Sequence, residues 1–204
     1  MERTTCAAVQ CDVSPMHEDV EERVDFSGDA FYDNYLAPIE ARLLRAVWRV
    51  VRDPERSRDA LQDALALIWQ KRARIRAHAN PEALIVRICL GVAVDALRKE
   101  RRRGRHLELR TGVLPEMPSP DDPAEAAQER QLREQVQEAI ARLPGKQSVA
   151  VLMRVVEEED YPAIAAALGC SESTARVHVM RGRARLGRVL AHLAPCAGHP
   201  GGAA

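Results

Sequence analysis

The chain has 204 residues, 46% hydrophobic but only 3% aromatic, and its 30 basic and 30 acidic residues leave no net charge. That length accommodates one large domain or two small ones with modest cores. The dominance of Ala, Leu, Val and Arg predicts short packed helices and argues against a β-sandwich.

The zero charge hides a pattern. Residues 98–105, RKERRRGR, hold six Arg or Lys against one Glu, and residues 161–204 hold five Arg against one Glu. These blocks are net +5 and +4, which leaves −9 for the remainder. Two basic patches separated by acidic chain predict two contacts with a polyanion, plus acidic surface that avoids it or meets another protein. Cys6, Cys11, Cys89, Cys170 and Cys196 are odd in number and form no Cys-x-x-Cys, so a secreted disulfide framework is excluded and a reducing cytoplasm expected. The N-terminus carries Glu2, Asp12, Glu18, Asp19, Glu21 and Glu22 without the apolar run of a signal peptide. Apolar stretches such as Ile88–Val94 are too short for a bilayer, and no membrane insertion is expected.

In chain order, residues 1–25 are polar and aperiodic and are expected to be disordered. Leu36, Ile39, Leu43, Val47 and Val51 then trace a helical face. Asp53-Pro54-Glu55 restarts the chain with a capping Asp and a first-turn Pro. Leu61, Leu65, Ile68 and Trp69 form the stripe of the next helix. Asn80-Pro81-Glu82 repeats the start signal, and Leu84, Ile88, Val92 and Ala96 follow at four-residue spacing. Residues 26–103 therefore read as a helical domain of about four helices. Breakers then accumulate at Gly104, Gly112, Pro115, Pro118, Pro120 and Pro123, among acids Glu108, Glu116, Asp121 and Asp122. Residues 104–122 are expected to be an acidic, Pro-rich linker. A second helical domain, 123–193, begins at Asp122-Pro123, breaks at Leu143-Pro144-Gly145 and continues with a short apolar helix, Gln147–Val156. Residues 194–204 form a Gly- and Pro-rich tail expected to be disordered. The fold class predicted is all-α, two small helical domains on a flexible linker.

Residues 161–186, YPAIAAALGCSESTARVHVMRGRARL, have the pattern of a helix-turn-helix. Asp160 caps the first helix, with Pro162 in its first turn; Ala165 permits close helix approach, Gly169 supplies a left-handed turn and Ser171 caps the second helix. Ala175, Val179, Gly182, Leu186, Val189, Leu190 and Leu193 form the expected buried seam. Thr174, His178 and Arg181 are left on an outer face, with Ser173 near its start and Arg176 and Val177 at its margin. Such a face reads base edges: Arg pairs with guanine, and Thr or Val touches a thymine methyl. Arg183, Arg185 and Arg188 suit phosphates.

The stretch from Leu143-Pro144 and Gln147 through Tyr161, Ile164-Ala165, Leu168-Gly169, Ser171, Thr174, Arg181 and Arg183-Ala184-Arg185-Leu186 resembles the fourth conserved region of extracytoplasmic-function sigma factors of the sigma-70 family. The resemblance implies binding to the minus-thirty-five promoter element through Ser173, Thr174, Arg176, Val177, His178, Arg181, Arg183 and Arg185. Residues 26–103 resemble the family's second conserved region. There Asp59, Gln62, Asp63, Leu65 and Trp69 match the helix that docks on the β′ subunit of core RNA polymerase. An amphipathic helix with acids beside an apolar stripe suits a basic partner helix; Asp59, Gln62 and Asp63 are expected to face the partner, Leu61, Leu65 and Trp69 mainly the core.

Residues 80–105 resemble the helix that reads and opens the minus-ten element. The implied contacts are His78 and Asn80 in the loop before it, then Arg87, Asp95, Arg98, Lys99, Arg101 and Arg102. The partners implied are core polymerase (β′ and β subunits), promoter DNA and an anti-sigma factor. The sequence departs from the family's pattern at Ala83, where an aromatic is usual, at Gly91, where Asn is usual, and in the atypical Thr174–Val179. These departures motivate an alternative, a LuxR-type or other helix-turn-helix regulator that binds DNA without serving as a sigma subunit. No P-loop, G-x-S-x-G or H-E-x-x-H is present, so neither catalysis nor a cofactor is expected. His192, Cys196 and His199, and Cys6, Cys11 and His17, are read as incidental groupings, not metal sites.

Overall fold

The structure, a computed structural model, describes residues 30–108 and 123–191, and the side chains of 30–103 and 127–191 among them. The expected N-terminal and C-terminal disordered segments, and the His and Cys groupings near the termini, lie outside the described residues. All regular structure among the described residues is helical. The all-α expectation holds.

A π-helical turn, Tyr32–Leu36, leads into α1 (Glu40–Val51), α2 (Pro54–Gln70), the short α3 (Arg72–Arg76) and the long α4 (Pro81–Glu108). Leu43, Val47 and Val51 of α1 are buried, as their spacing predicts. Asp53 caps α2 by accepting the Arg56 amide at 2.8 Å, and Asn80 caps α4 by accepting the Ala83 amide at 3.0 Å. These caps fix where each helix starts, and hence which face meets the core. Phe31, Ile68, Ile75, Ile85, Cys89 and Leu90 fill that core. Burial and, to a smaller degree, the charge of Glu157 push the Cys89 thiol up to about 12, so it packs as an inert apolar group.

One boundary moves. α4 runs to Glu108, into the segment expected to be linker from residue 104. Gly104 alone does not stop it, because a single helical glycine costs about 1 kcal/mol relative to Ala, less than continuing hydrogen bonds can offset. Residues 109–122, where the prolines concentrate, lie outside the described residues.

The second half comprises α5 (Pro123–Arg142), α6 (Gly145–Val155), α7 (Tyr161–Leu168) and α8 (Glu172–Val189). α4 packs against α5, α6 and α7, so the buried residues of both halves form one continuous core. Val149, Met153, Ile164, Leu168, Ala175 and Val179 belong to it. The predicted seam of α8 holds only in part: Ala175, Val179 and Gly182 are buried, Leu186 and Leu190 are half-buried, and Val189 is 44% exposed. Burial thus thins along α8 toward its C-terminal end.

Candidate nucleic-acid interface

α7 and α8 are joined through Gly169, whose left-handed φ of 62° returns the chain without the strain another residue would feel. Asp160 accepts the Ala163 amide at 2.8 Å to cap α7, and Ser171 accepts the Thr174 amide at 3.3 Å to cap α8. At Gly182 α8 meets α6 closely: a Cβ there would lie 2.4 Å from Val151 Cγ2. Glycine at this point is what seats the helix at that depth.

The opposite side of α8 is open. Ser173, Thr174, Arg176, Arg181, Arg183 and Arg185 are exposed, while Val177 and His178 are half-buried at its margin. The hydroxyls of Ser173 and Thr174 lie 3.0 and 2.8 Å from Ser171 Oγ, which ties them to the cap. Arg185 donates to Gln147 Oε1 at 3.0 Å. His178, placed on the outer face by its spacing, instead turns Nδ1 into the protein, where it finds no hydrogen-bond partner. Burial, then the charges of Lys146 and Arg181, lowers its pKa below the usual imidazole value. Neutral His178 therefore adds packing to this surface and no positive charge near neutral pH. Arg176 is held from two sides, ion-paired with Glu172 and lying 4.2 Å over the Tyr161 ring.

The basic surface of α4 is arranged differently. Arg98 donates to the carbonyls of Leu143 at 2.8 Å and Ala141 at 3.3 Å, and pairs with Asp95 at 2.9 Å. Arg101 lies 2.8 Å from Glu138 on α5. His78 Nε2 lies 3.1 Å from the Ala166 carbonyl of α7, and its Nδ1 lies 2.8 Å from the Asn80 carbonyl and 3.0 Å from the Asn80 amide nitrogen. Asp95, Lys99 and Arg102 remain exposed, Arg87 is half-buried, and the Asn80 side chain is occupied as a cap. The structure thus gathers His78, Arg98 and Arg101 at the seam between the two halves. A Cβ added to Gly91, on the same helix, would meet nothing within 4 Å.

On α2, Asp59, Gln62 and Asp63 are exposed, Leu61 is buried, and Leu65 and Trp69 are half-buried. Trp69 packs edge-on against Phe31 at 6.1 Å and carries Arg72 over its ring at 5.1 Å.

The seam depends on residues that sequence reading did not single out. Arg42 of α1 donates to Glu157 at 2.8 Å and Glu159 at 2.7 Å, in the α6–α7 loop, and also pairs with Glu82. Glu158 between them adopts a left-handed φ of 57°, which turns its two neighbours toward the same guanidinium. Glu157 has a side chain only 4% exposed, so its carboxylate depends on this partner. Burial acts against the charge on Arg42, but the bonds to Glu157 and Glu159 outweigh it and raise its pKa. Gln137 donates to the carbonyls of Val50 and Val51 at the end of α1, at 3.1 and 2.6 Å, and Arg49 to that of Val156 at 2.8 Å. Sequence reading gave the acidic run 157–160 no partner; its charge opposite the basic residues of α1 was the available clue.

Among the described residues, no helix is long and apolar enough to cross a membrane, and no group of three or more His, Cys, Asp or Glu is placed to hold a metal ion.

Comparison with known proteins converges on one family. Residues 38–103 match the family model for sigma-70 region 2, and residues 133–186 that for sigma-70 region 4. The RNA polymerase sigma-E factor of Streptomyces coelicolor is 34% identical over 156 residues, 76% of this chain and 83% of that one. The RNA polymerase sigma factor CarQ of Myxococcus xanthus is 27% identical over 169 residues, 83% of this chain and 94% of that one. Among solved structures, the sigma factor RpoE of Bartonella quintana, in complex with the anti-sigma factor NepR, is 22% identical with a TM-score of 0.43. That match covers 76% of this chain and 92% of that one.

Proposed function

The chain belongs to the extracytoplasmic-function sigma factors of the sigma-70 family, and from that premise we propose how its surfaces divide the work of promoter-specific initiation. As a sigma factor it binds core RNA polymerase and directs transcription from promoters; the stand-alone regulator is not favoured, because residues 38–103 match a sigma region such a regulator has no use for.

On this reading, residues 26–103 and 123–193 are the two working units. α8 reads the minus-thirty-five element through Ser173, Thr174, Arg176, Val177 and Arg181, with Arg183 and Arg185 on phosphates and His178 as packing at the rim. α4 and the loop before it, through His78, Asn80, Arg87, Asp95, Arg98, Lys99, Arg101 and Arg102, engage the minus-ten element. α2 presents Asp59, Gln62 and Asp63 to the β′ subunit, with Leu65 and Trp69 shaping the helix beneath, and β takes further contacts. An anti-sigma factor is the regulatory partner, and the cytoplasm, where polymerase and chromosome lie, the compartment. The chain performs no chemical step of its own.

The observation that carries this reading is the open arginine-bearing side of α8, with α7 crossing behind it through the Gly169 turn. Because Arg98, Arg101 and His78 are engaged by the second half, the two halves must part before α4 meets DNA.

The test is transcription reconstituted with core polymerase and a cognate promoter. Arg181→Ala should lower initiation about tenfold or more, as expected for loss of a base contact. Asp59→Ala with Asp63→Ala should weaken core binding while leaving DNA contacts intact. Initiation that needs neither surface would overturn the assignment.

A further inference from the structure

We propose that Tyr161 and Glu172 are positioning residues that set base specificity by holding the Arg176 guanidinium in one orientation for a guanine edge. This rests on the assignment of α8 to the minus-thirty-five element.

Arg176 lies on the exposed side of α8, and a free arginine there would sample many rotamers. It does not stand free. Its guanidinium carbon lies 4.2 Å from the centroid of the Tyr161 ring, within reach for a cation–π contact. Its Nη2 is bound by the carboxylate of Glu172, one turn earlier on the same helix. The ring fixes the plane and the carboxylate fixes one edge, so the remaining N–H groups point in a set direction.

Tyr161 is itself anchored. It is the first residue of α7, placed by the Asp160 cap, and it is half-buried against the core. Arg154 lies 5.3 Å from the same ring and donates to the Glu159 carbonyl at 2.9 Å. The support therefore comes from α6 and α7, elements that do not themselves form the reading face.

Two chemistries are open to an exposed arginine at a DNA surface. A phosphate contact needs charge and tolerates many orientations, and a carboxylate beside it reduces its value. A bidentate bond to guanine O6 and N7 needs a fixed planar fork. The ring and the carboxylate supply orientation at the expense of charge, which favours the guanine edge. Freedom lost before binding is not lost again on binding, so preorganisation sharpens the preference.

The experiment measures binding of the reconstituted holoenzyme to a panel of promoter duplexes with each minus-thirty-five base pair varied in turn, at several salt concentrations. Tyr161→Leu keeps an apolar body but removes the π face; Glu172→Gln, at an exposed position, keeps the shape but removes the charge. Both should reduce discrimination at one base pair by about three- to tenfold and leave the salt slope unchanged. Arg176→Lys should erode the preference at that same pair, and Tyr161→Phe should retain it. A uniform loss across all duplexes, a shallower salt slope for Arg176→Ala, or unchanged selectivity in Tyr161→Leu and Glu172→Gln would each overturn the proposal. Arg181→Ala and Thr174→Ala run in parallel. If these shift promoter choice while Tyr161→Leu and Glu172→Gln do not, only this inference fails; if none does, the assignment of α8 fails with it.

Discussion

α4 and α8 both carry the arginines expected of DNA-reading helices, yet the protein treats them differently. α8 offers Arg181 and Arg183 to solvent, supported from behind by α6 and α7. α4 spends Arg98 on the carbonyls of Leu143 and Ala141, and Arg101 faces Glu138. A reading surface assembled within one compact motif is available whatever the rest of the chain does. One that lies along a seam between modules is available only when that seam opens. Closure leaves the α8 surface open and occupies His78, Arg98 and Arg101 of the α4 surface.

The largest expected effect breaks the core common to both halves. Ile164 is fully buried on α7, the helix that packs on both α4 and α8. Ile164→Ala removes buried methyl groups and should destabilise the protein by about 3 kcal/mol. Chemical denaturation measures it, and a loss under 1 kcal/mol would mean that α7 is not part of a continuous core.

A more selective break targets the ion pairs across the seam. Arg42→Ala strips Glu157 of its partner, a penalty of about 2 kcal/mol for a carboxylate left desolvated. Glu157 can escape that penalty by reaching water, so the expected outcome is separation of the two halves with each still helical. Small-angle scattering should show a larger radius of gyration and circular dichroism an unchanged helix content. An unchanged radius would show that the apolar contacts of α4 close the molecule unaided.

The smallest effect has the opposite sign. Gly91 stands mid-helix on α4 with open space where a Cβ would go, so Gly91→Ala should stabilise the protein by about 1 kcal/mol through helix propensity alone. A destabilised variant would reveal that the α4 backbone needs glycine there.

What could be read in the sequence follows from the range of the interactions involved. The caps at Asp53, Asn80, Asp160 and Ser171 each act over three residues, and each forms where the local pattern placed it. The turn at Gly169 and the buried Ala175 and Val179 were equally local. Reading failed where a neighbour beyond the local pattern decided the outcome. Val189 keeps the spacing of the seam but is 44% exposed. His178 keeps the spacing of the outer face but turns its Nδ1 inward.

By itself, then, the sequence determined the helices, their starting points, the crossed pair with its basic side and the family to which they belong. Helical period and capping are properties of a few consecutive residues. Only the tertiary structure decided which arginines are free and which are engaged. Arg42 and Glu157 are 115 residues apart, and Arg98 and Leu143 are 45 apart. Pairing at such separations is settled by how α4 packs against α5, α6 and α7, not by any pattern along the chain.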